Sequence, residues 1–144
     1  MNKLKINQEI ELKIVSNSDI EFLYQLLAER DIQANISHRK MPIFEKHKKF
    51  VLSKPYTKWY IIFFNKTKIG SIYLSKSDEI GIFLKKNIQN KGIGQTALDL
   101  LMKQNPRKRF LANVNPKNII SSKFFKKNNF KLIQHTYEYL DNSE

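Results

Sequence analysis

The chain's 144 residues, 41% hydrophobic and with only 4 Gly and 4 Pro, suit one domain over 1–144 and are too apolar for a disordered or fibrous chain. The absence of Cys excludes disulfides, thiolate nucleophiles and cysteine-bound metals, and fits a reducing, cytoplasmic setting. A formal charge of +13 invites anionic partners, but 22 of the 26 basic residues are Lys rather than the phosphate-forking Arg, which reads as a solvated surface.

Leu12 to Val15 is a short β-like run, and Ser18 with Glu21 forms a capping box ahead of Ile20, Leu23, Tyr24 and Leu27 at helical spacing. The polar stretch from Arg30 through Lys40 reads as loop. Pro42 then opens a second helix with Ile43, His47, Phe50 and Val51 on one face, and Pro55 closes it. Trp59 to Phe64, Ile69 to Leu74 and Glu79 to Leu84 are β-branched or aromatic runs separated by turn-like 65–68 and 75–78, a three-stranded antiparallel meander. The first of these is the longest uncharged apolar run and is far too short to cross a membrane.

A helix starts near Lys91 with Ile93, Ala97, Leu100 and Leu101 inward, Pro106 stops it, and Arg109 to Val114 returns as a strand, a crossover that suggests parallel pairing. A helix from about Asn118 to Lys127, with Ile120 and Phe124 inward, precedes a last strand from Phe130 to about Tyr139. The expected fold class is therefore α/β (mixed α+β), a central mixed sheet of about six strands flanked by about four helices.

All four glycines fall between Gly70 and Gly94. Gln89-Asn90-Lys91-Gly92-Ile93-Gly94 lies between a strand and a helix, where backbone N–H groups without intervening side chains can approach a phosphate at the positive helix end. A dinucleotide fingerprint fits poorly, because several residues separate strand from glycines and no acidic residue follows at the required distance. The triphosphate-loop pattern with Gly-Lys-Ser/Thr is absent.

What remains is Q/R-x-x-G-x-G/A, met by Gln89, Gly92 and Gly94, and a second stretch downstream: Val114-Asn115-Pro116-Lys117-Asn118, Ser121, Phe125 and Asn129-Phe130. In both, and in its order of elements over nearly the whole chain, the sequence resembles the GNAT superfamily of acyl-CoA-dependent N-acetyltransferases. The resemblance implies acetyl-CoA (CoA) as cofactor. It also implies cofactor contacts from the backbone of Ile82, Phe83 and Leu84, from the loop Gln89, Asn90, Lys91, Gly92, Ile93, Gly94 and Gln95, and from Asn118, Ser121 and Phe125. Two positions depart from the pattern: Phe125 stands where the family often has a proton-donating Tyr, and Asn129 where it has Gly, a position Asn tolerates in the left-handed conformation.

An amine near pH 7 must lose a proton before it attacks a thioester. Glu79 shares a strand face with Gly81 and Phe83, lies where some members of the resembled family carry an acidic base, and is the candidate catalytic residue. Asn113 and His47 are candidate substrate-binding residues. The three His lack metal-ligand spacing, so no metal site is expected. The segment from Ser37 to Val51 resembles the substrate-side helices of bacterial GNAT proteins that acetylate nucleotide-linked amino sugars, beside which protein N-termini, small amines and antibiotics stay open as acceptors. The expected protein is a monomeric or homodimeric transferase acting on a small-molecule amine, away from membranes. A CoA-binding sensor lacking catalysis and a basic nucleic-acid-binding module are the alternatives, although no helix-turn-helix, zinc finger or aromatic RNA platform supports the last.

Overall fold

The computed structural model describes residues 9–30, 41–88 and 92–141. Strand β2 (Lys58–Phe64) shows how alternation builds the sheet. Its Tyr60 and Ile62 serve one hydrophobic core while Trp59, Ile61 and Phe63 serve a second on the opposite face. Strand β1 (Ile10–Ile14) and strand β3 (Thr67–Leu74) flank β2 in antiparallel register. Strand β4 (Glu79–Leu84) adds antiparallel to β3, and strand β5 (Leu111–Ala112) pairs with β4 in parallel, so the five strands lie in chain order. Asn65 and Lys66 both take positive φ, 50° and 64°, the left-handed pair that matches a two-residue hairpin to strand twist.

Among the described residues four α-helices cover the sheet: α1 (Ile20–Ala28), α2 (Phe44–Leu52), α3 (Ile93–Gln104) and α4 (Ile119–Lys127). Helix α3 buries Ile93, Ala97, Leu98 and Leu101 against Ile62, Ile72, Leu74 and Ile80, a 3.6-residue stripe meeting a period-two face. On the opposite face Ile20 and Leu23 of α1 and Val51 of α2 close over Ile61. Among the described residues no helix is long and apolar enough to cross a membrane.

Several details depart from expectation. The capping box is Ser16 with Asp19, upstream of the expected pair. The Asp19 carboxylate accepts from the Ser16 backbone N–H at 2.8 Å and pairs with Lys68 Nζ of β3 at 2.6 Å, so the box that also finds a cation prevails. Helix α2 starts at Phe44, and of its expected face only His47 and Val51 are buried. Strand β5 retains two of its six expected residues, because it meets only Glu79 and Ile80 before leaving β4. Among the described residues the sheet has five strands rather than six: the last expected strand, Phe130 to about Tyr139, has no regular structure, since no described strand pairs with it. Ile120 points outward at 70% exposure while Phe124 packs on the core, because α4 docks through its Phe124 edge.

Candidate active site

The turn between β3 and β4 places Glu79. Ser75 N–H donates to the Glu79 carbonyl at 2.8 Å, and Asp78 takes φ 61° to close the turn. The Ser75 hydroxyl accepts from Glu79 N–H at 3.0 Å and donates to Oε1 at 3.3 Å, while Asn113 Nδ2 donates to Oε2 at 2.8 Å. Asp78 anchors β5 to the same corner: its carbonyl accepts from Leu111 N–H at 2.9 Å and its carboxylate from Arg107 Nε at 3.0 Å. The half-buried Glu79 carboxylate thus has a donor on each oxygen and further lone pairs left to accept with.

The alternation expected along β4 is present. Ile80, Ile82 and Leu84 join the α3 core, whereas Gly81 and Phe83 face the other side, toward Tyr73 and Arg30. Tyr73 pairs directly across from Gly81, and a side chain at Gly81 would overlap the phenol; the glycine exists so that this ring can lie across β4. Tyr56 stacks on Tyr73 with centroids 3.9 Å apart, Trp59 meets Tyr56 edge-on at 4.8 Å, and the Arg30 guanidinium sits 4.3 Å over Phe83. Burial pushes both phenols above the usual tyrosine range; Arg30 opposes this in each, and for Tyr73 the Glu79 charge adds to it. Both phenols are protonated at neutral pH. Sequence reasoning missed this wall, although the four-residue turn fixes the register that sets a bulky ring opposite a strand glycine.

Beyond Ile80 β5 has ended, so among the described residues Gly81, Ile82 and Phe83 have no neighbouring strand on that side. The slot leads to the start of α3. Gln89, Asn90 and Lys91 lie outside the described residues. Gly92 is the N-cap of α3 at φ 76°, with nothing within 4 Å of where a side chain would stand, and the first turn holds neither an acidic residue nor a side-chain cap. Among the described residues the N–H groups of Ile93, Gly94 and Gln95 have no side-chain cap, at the positive end of a 12-residue helix. A Cβ at Gly94 would touch Phe124 and Leu84 at ordinary distance, so β4, α3 and α4 converge here.

The remaining expected residues divide between site and scaffold. The Gln95 amide donates to Asp99 at 3.1 Å and to Asn128, which commits that side chain to the end of α4. Asn118 caps α4, its Oδ1 accepting from Ser121 N–H at 3.1 Å. Phe125 packs edge-on between Phe124 and Phe130 at 5.2 and 5.1 Å, and Asn129 takes the left-handed conformation at φ 69°. His47 is 6% exposed beside Tyr24 at the α1–α2 interface, and burial lowers its pKa. The loop expected to shape an acceptor pocket, 31–40, is outside the described residues. A hollow of about 350 Å³ bounded by Ile14, Val51 and Trp59 shares Tyr56 with the aromatic wall but reaches neither Glu79 nor α3.

A parallel pair that parts after two residues, with an uncapped helix N-terminus at its mouth and a held carboxylate at its root, is the fold and cradle of an acyl-CoA-dependent transferase. Residues 20–130 match the model of the Acetyltransferase (GNAT) family, and the chain belongs to that family. It is an N-acetyltransferase whose acetyl donor is acetyl-CoA. Solved structures share the fold. RimL, a ribosomal protein alpha-N-acetyltransferase in complex with coenzyme A, aligns at TM-score 0.71 and 20% identity over 90% of this chain and 84% of that one. A domain from Methanocaldococcus jannaschii gives 0.74 and 25% over 90% and 92%. An aminoglycoside acetyltransferase from an uncultured soil metagenomic sample, in complex with trehalose, gives 0.64 and 13% over 94% and 99%. No curated protein sequence matches the chain significantly.

Proposed function

We propose that the protein acetylates the amine of a small, ring-bearing acceptor by direct attack, with Glu79 as the base, and that the acceptor is a nucleotide-linked amino sugar. Acetyl-CoA, when bound, supplies a thioester carbonyl. The backbone of Gly81, Ile82, Phe83 and Leu84 would hold its arm. The N–H groups of Ile93, Gly94 and Gln95, with Gln89, Asn90 and Lys91 before them, receive its pyrophosphate. Asn118 and Ser121 support the far wall through α4. Transfer forms the C–N bond and breaks the C–S bond, and the amine proton passes to Glu79. Phe125 has no proton to give, so the departing thiolate takes its proton from solvent.

The observation that carries this reading is a carboxylate fixed by two side-chain donors, Ser75 and Asn113, where β4 and β5 part. The flat rings of Tyr73 and Tyr56 beside it favour a ring-bearing acceptor, and the lack of Cys fits a cytoplasmic enzyme. Similarity to RimL favours protein N-termini as a second reading. Glu79→Gln is expected to lower turnover by roughly 10²–10⁴-fold with acetyl-CoA affinity unchanged. Unchanged turnover removes Glu79 from the mechanism, and turnover on peptides but not amino-sugar nucleotides selects the second reading.

A further inference from the structure

The hollow between β1, β2 and the end of α2 encloses about 350 Å³, within the range of small-molecule sites, and lies apart from the acetyl-transfer site. Its walls suit a flat, anionic molecule. Trp59 and Tyr56 give it aromatic sides, Val51 an apolar one, and Asn17 and Thr57 polar groups. Among the described residues no acidic side chain lines it, whereas Lys54 and Lys58 do. Lys54 follows the C-cap of α2 in the left-handed conformation, at φ 51°. Glycine or asparagine ordinarily fills such a position, so a cation holds a strained place at the hollow.

Strand register ties the hollow to Glu79. Val15 N–H donates to the Trp59 carbonyl at 2.9 Å, Trp59 pairs with Tyr73, and Tyr73 pairs with Gly81. These four residues therefore form one row across the sheet, on the face that α1 and α2 cover. Val15 and Trp59 belong to the hollow, Tyr73 and Gly81 to the wall beside Glu79. Two strand spacings put the Trp59 backbone about 10 Å from that of Gly81. Glu79 lies two residues back along β4, toward the end of the sheet where Lys58 pairs with Leu74 and Leu74 with Ile80. The bridge is Tyr56, which lines the hollow and stacks on Tyr73 at 3.9 Å. A single sugar ring is too short to touch both places, whereas a sugar joined through phosphates to a base is long enough.

We propose that the hollow is a nucleoside-phosphate site that anchors the far end of the acceptor. The base lies against Trp59 and Tyr56, the phosphates meet Lys54, and the amino sugar crosses Tyr56 and Tyr73 to present its amine to Glu79. This rests on the reading of the acceptor as a nucleotide-linked amino sugar, to which it adds the place where the nucleotide is held. Acceptor selection then resides in a pocket separate from both the acetyl-CoA cradle and the carboxylate.

Trp59 is the sole Trp of the chain, so its fluorescence reports on the hollow. Nucleoside diphosphates of the common bases are titrated into the acetyl-CoA-loaded protein, the cofactor keeping the start of α3 occupied. At least one is expected to quench the indole saturably, and inorganic pyrophosphate is not. Lys54→Glu is expected to weaken that nucleotide about tenfold or more, with the rise in unfolding temperature on adding acetyl-CoA unchanged. Lys54→Gly relaxes the left-handed residue; it should weaken the nucleotide too while the unfolding temperature holds or rises, a combination that a purely structural lysine does not give. Absence of saturable quenching by every nucleotide, or binding by both Lys54 variants equal to that of the parent, overturns the proposal. Failure of the acceptor reading looks different: Lys54-dependent nucleotide binding persists while no amino-sugar nucleotide is acetylated, which leaves the nucleotide site standing.

Discussion

At the scale of single residues, the Glu79 carboxylate divides its donors, Ser75 on one oxygen and Asn113 on the other. If Asn113 positions the carboxylate, Asn113→Ala lowers kcat about tenfold, the weight of one hydrogen bond of roughly 1.4 kcal/mol, and leaves the KM for acetyl-CoA unchanged in steady-state assays. Gly81→Ala drives a methyl into the Tyr73 ring and is expected to cost about 1–3 kcal/mol by overpacking, read as a lower denaturation midpoint at constant m-value. His47 contributes a pH dependence. Its folded pKa is depressed by burial from the ordinary 6.5, so the unfolded chain binds the extra proton. Its contribution is complete above about 6.5 and is lost as pH falls through the folded value. In urea titrations between pH 7.5 and 5, His47→Gln should flatten that decline. The places of Glu79 at the start of β4 and of Gly92 at the head of α3 were legible in the sequence because turn residues and periodicity agree there. Tyr73, Tyr56 and Arg30 were not, since each matters only through neighbours on other elements.

At the scale of elements, local signals decided where they were strong and tertiary partners decided elsewhere. The meander was legible because alternation and turn residues agree: β4 has its expected limits, and Asn65-Lys66 supplies the turn. The first helix was legible in place but not in its cap. Asp19→Asn keeps a capping oxygen while losing the ion pair with Lys68, and Asp19→Ala loses both; the alanine variant is expected to cost about 1 kcal/mol more, measurable by thermal unfolding. Strand β5 and the segment after Phe130 were misread for one shared reason. A strand pattern reports what a side chain prefers to bury, whereas strand length is set by the edge that receives it, and that edge is two residues long on β4. The inward placing of Ile120 failed similarly, because helical periodicity defines a face without saying what lies opposite.

Over the whole molecule, the family and the general architecture were legible, since two separate motifs and the order of elements agree with the fold. The acceptor was not, because 31–40 carries no periodicity to read. The charge of +13 gives the uncapped start of α3 a favourable field for an anion. Acetyl-CoA at 100 times its dissociation constant should stabilise the folded chain by about 2.7 kcal/mol, and NADH should not; a differential-scanning experiment with both ligands checks the cradle without needing an acceptor.

The narrow parallel contact between β4 and β5 also bears on how the chain folds. Strands β2, β3 and β4 join neighbours close in sequence, whereas β5 reaches β4 only after the whole of α3 has formed between them, a closure with high entropic cost for few hydrogen bonds. The meander should therefore form early and β5 dock last. In native-state hydrogen exchange the Leu111 amide, bonded to the Asp78 carbonyl, should open in a sub-global event well below the global unfolding free energy, while the amides of Ile61 and Ile72 exchange only on complete unfolding.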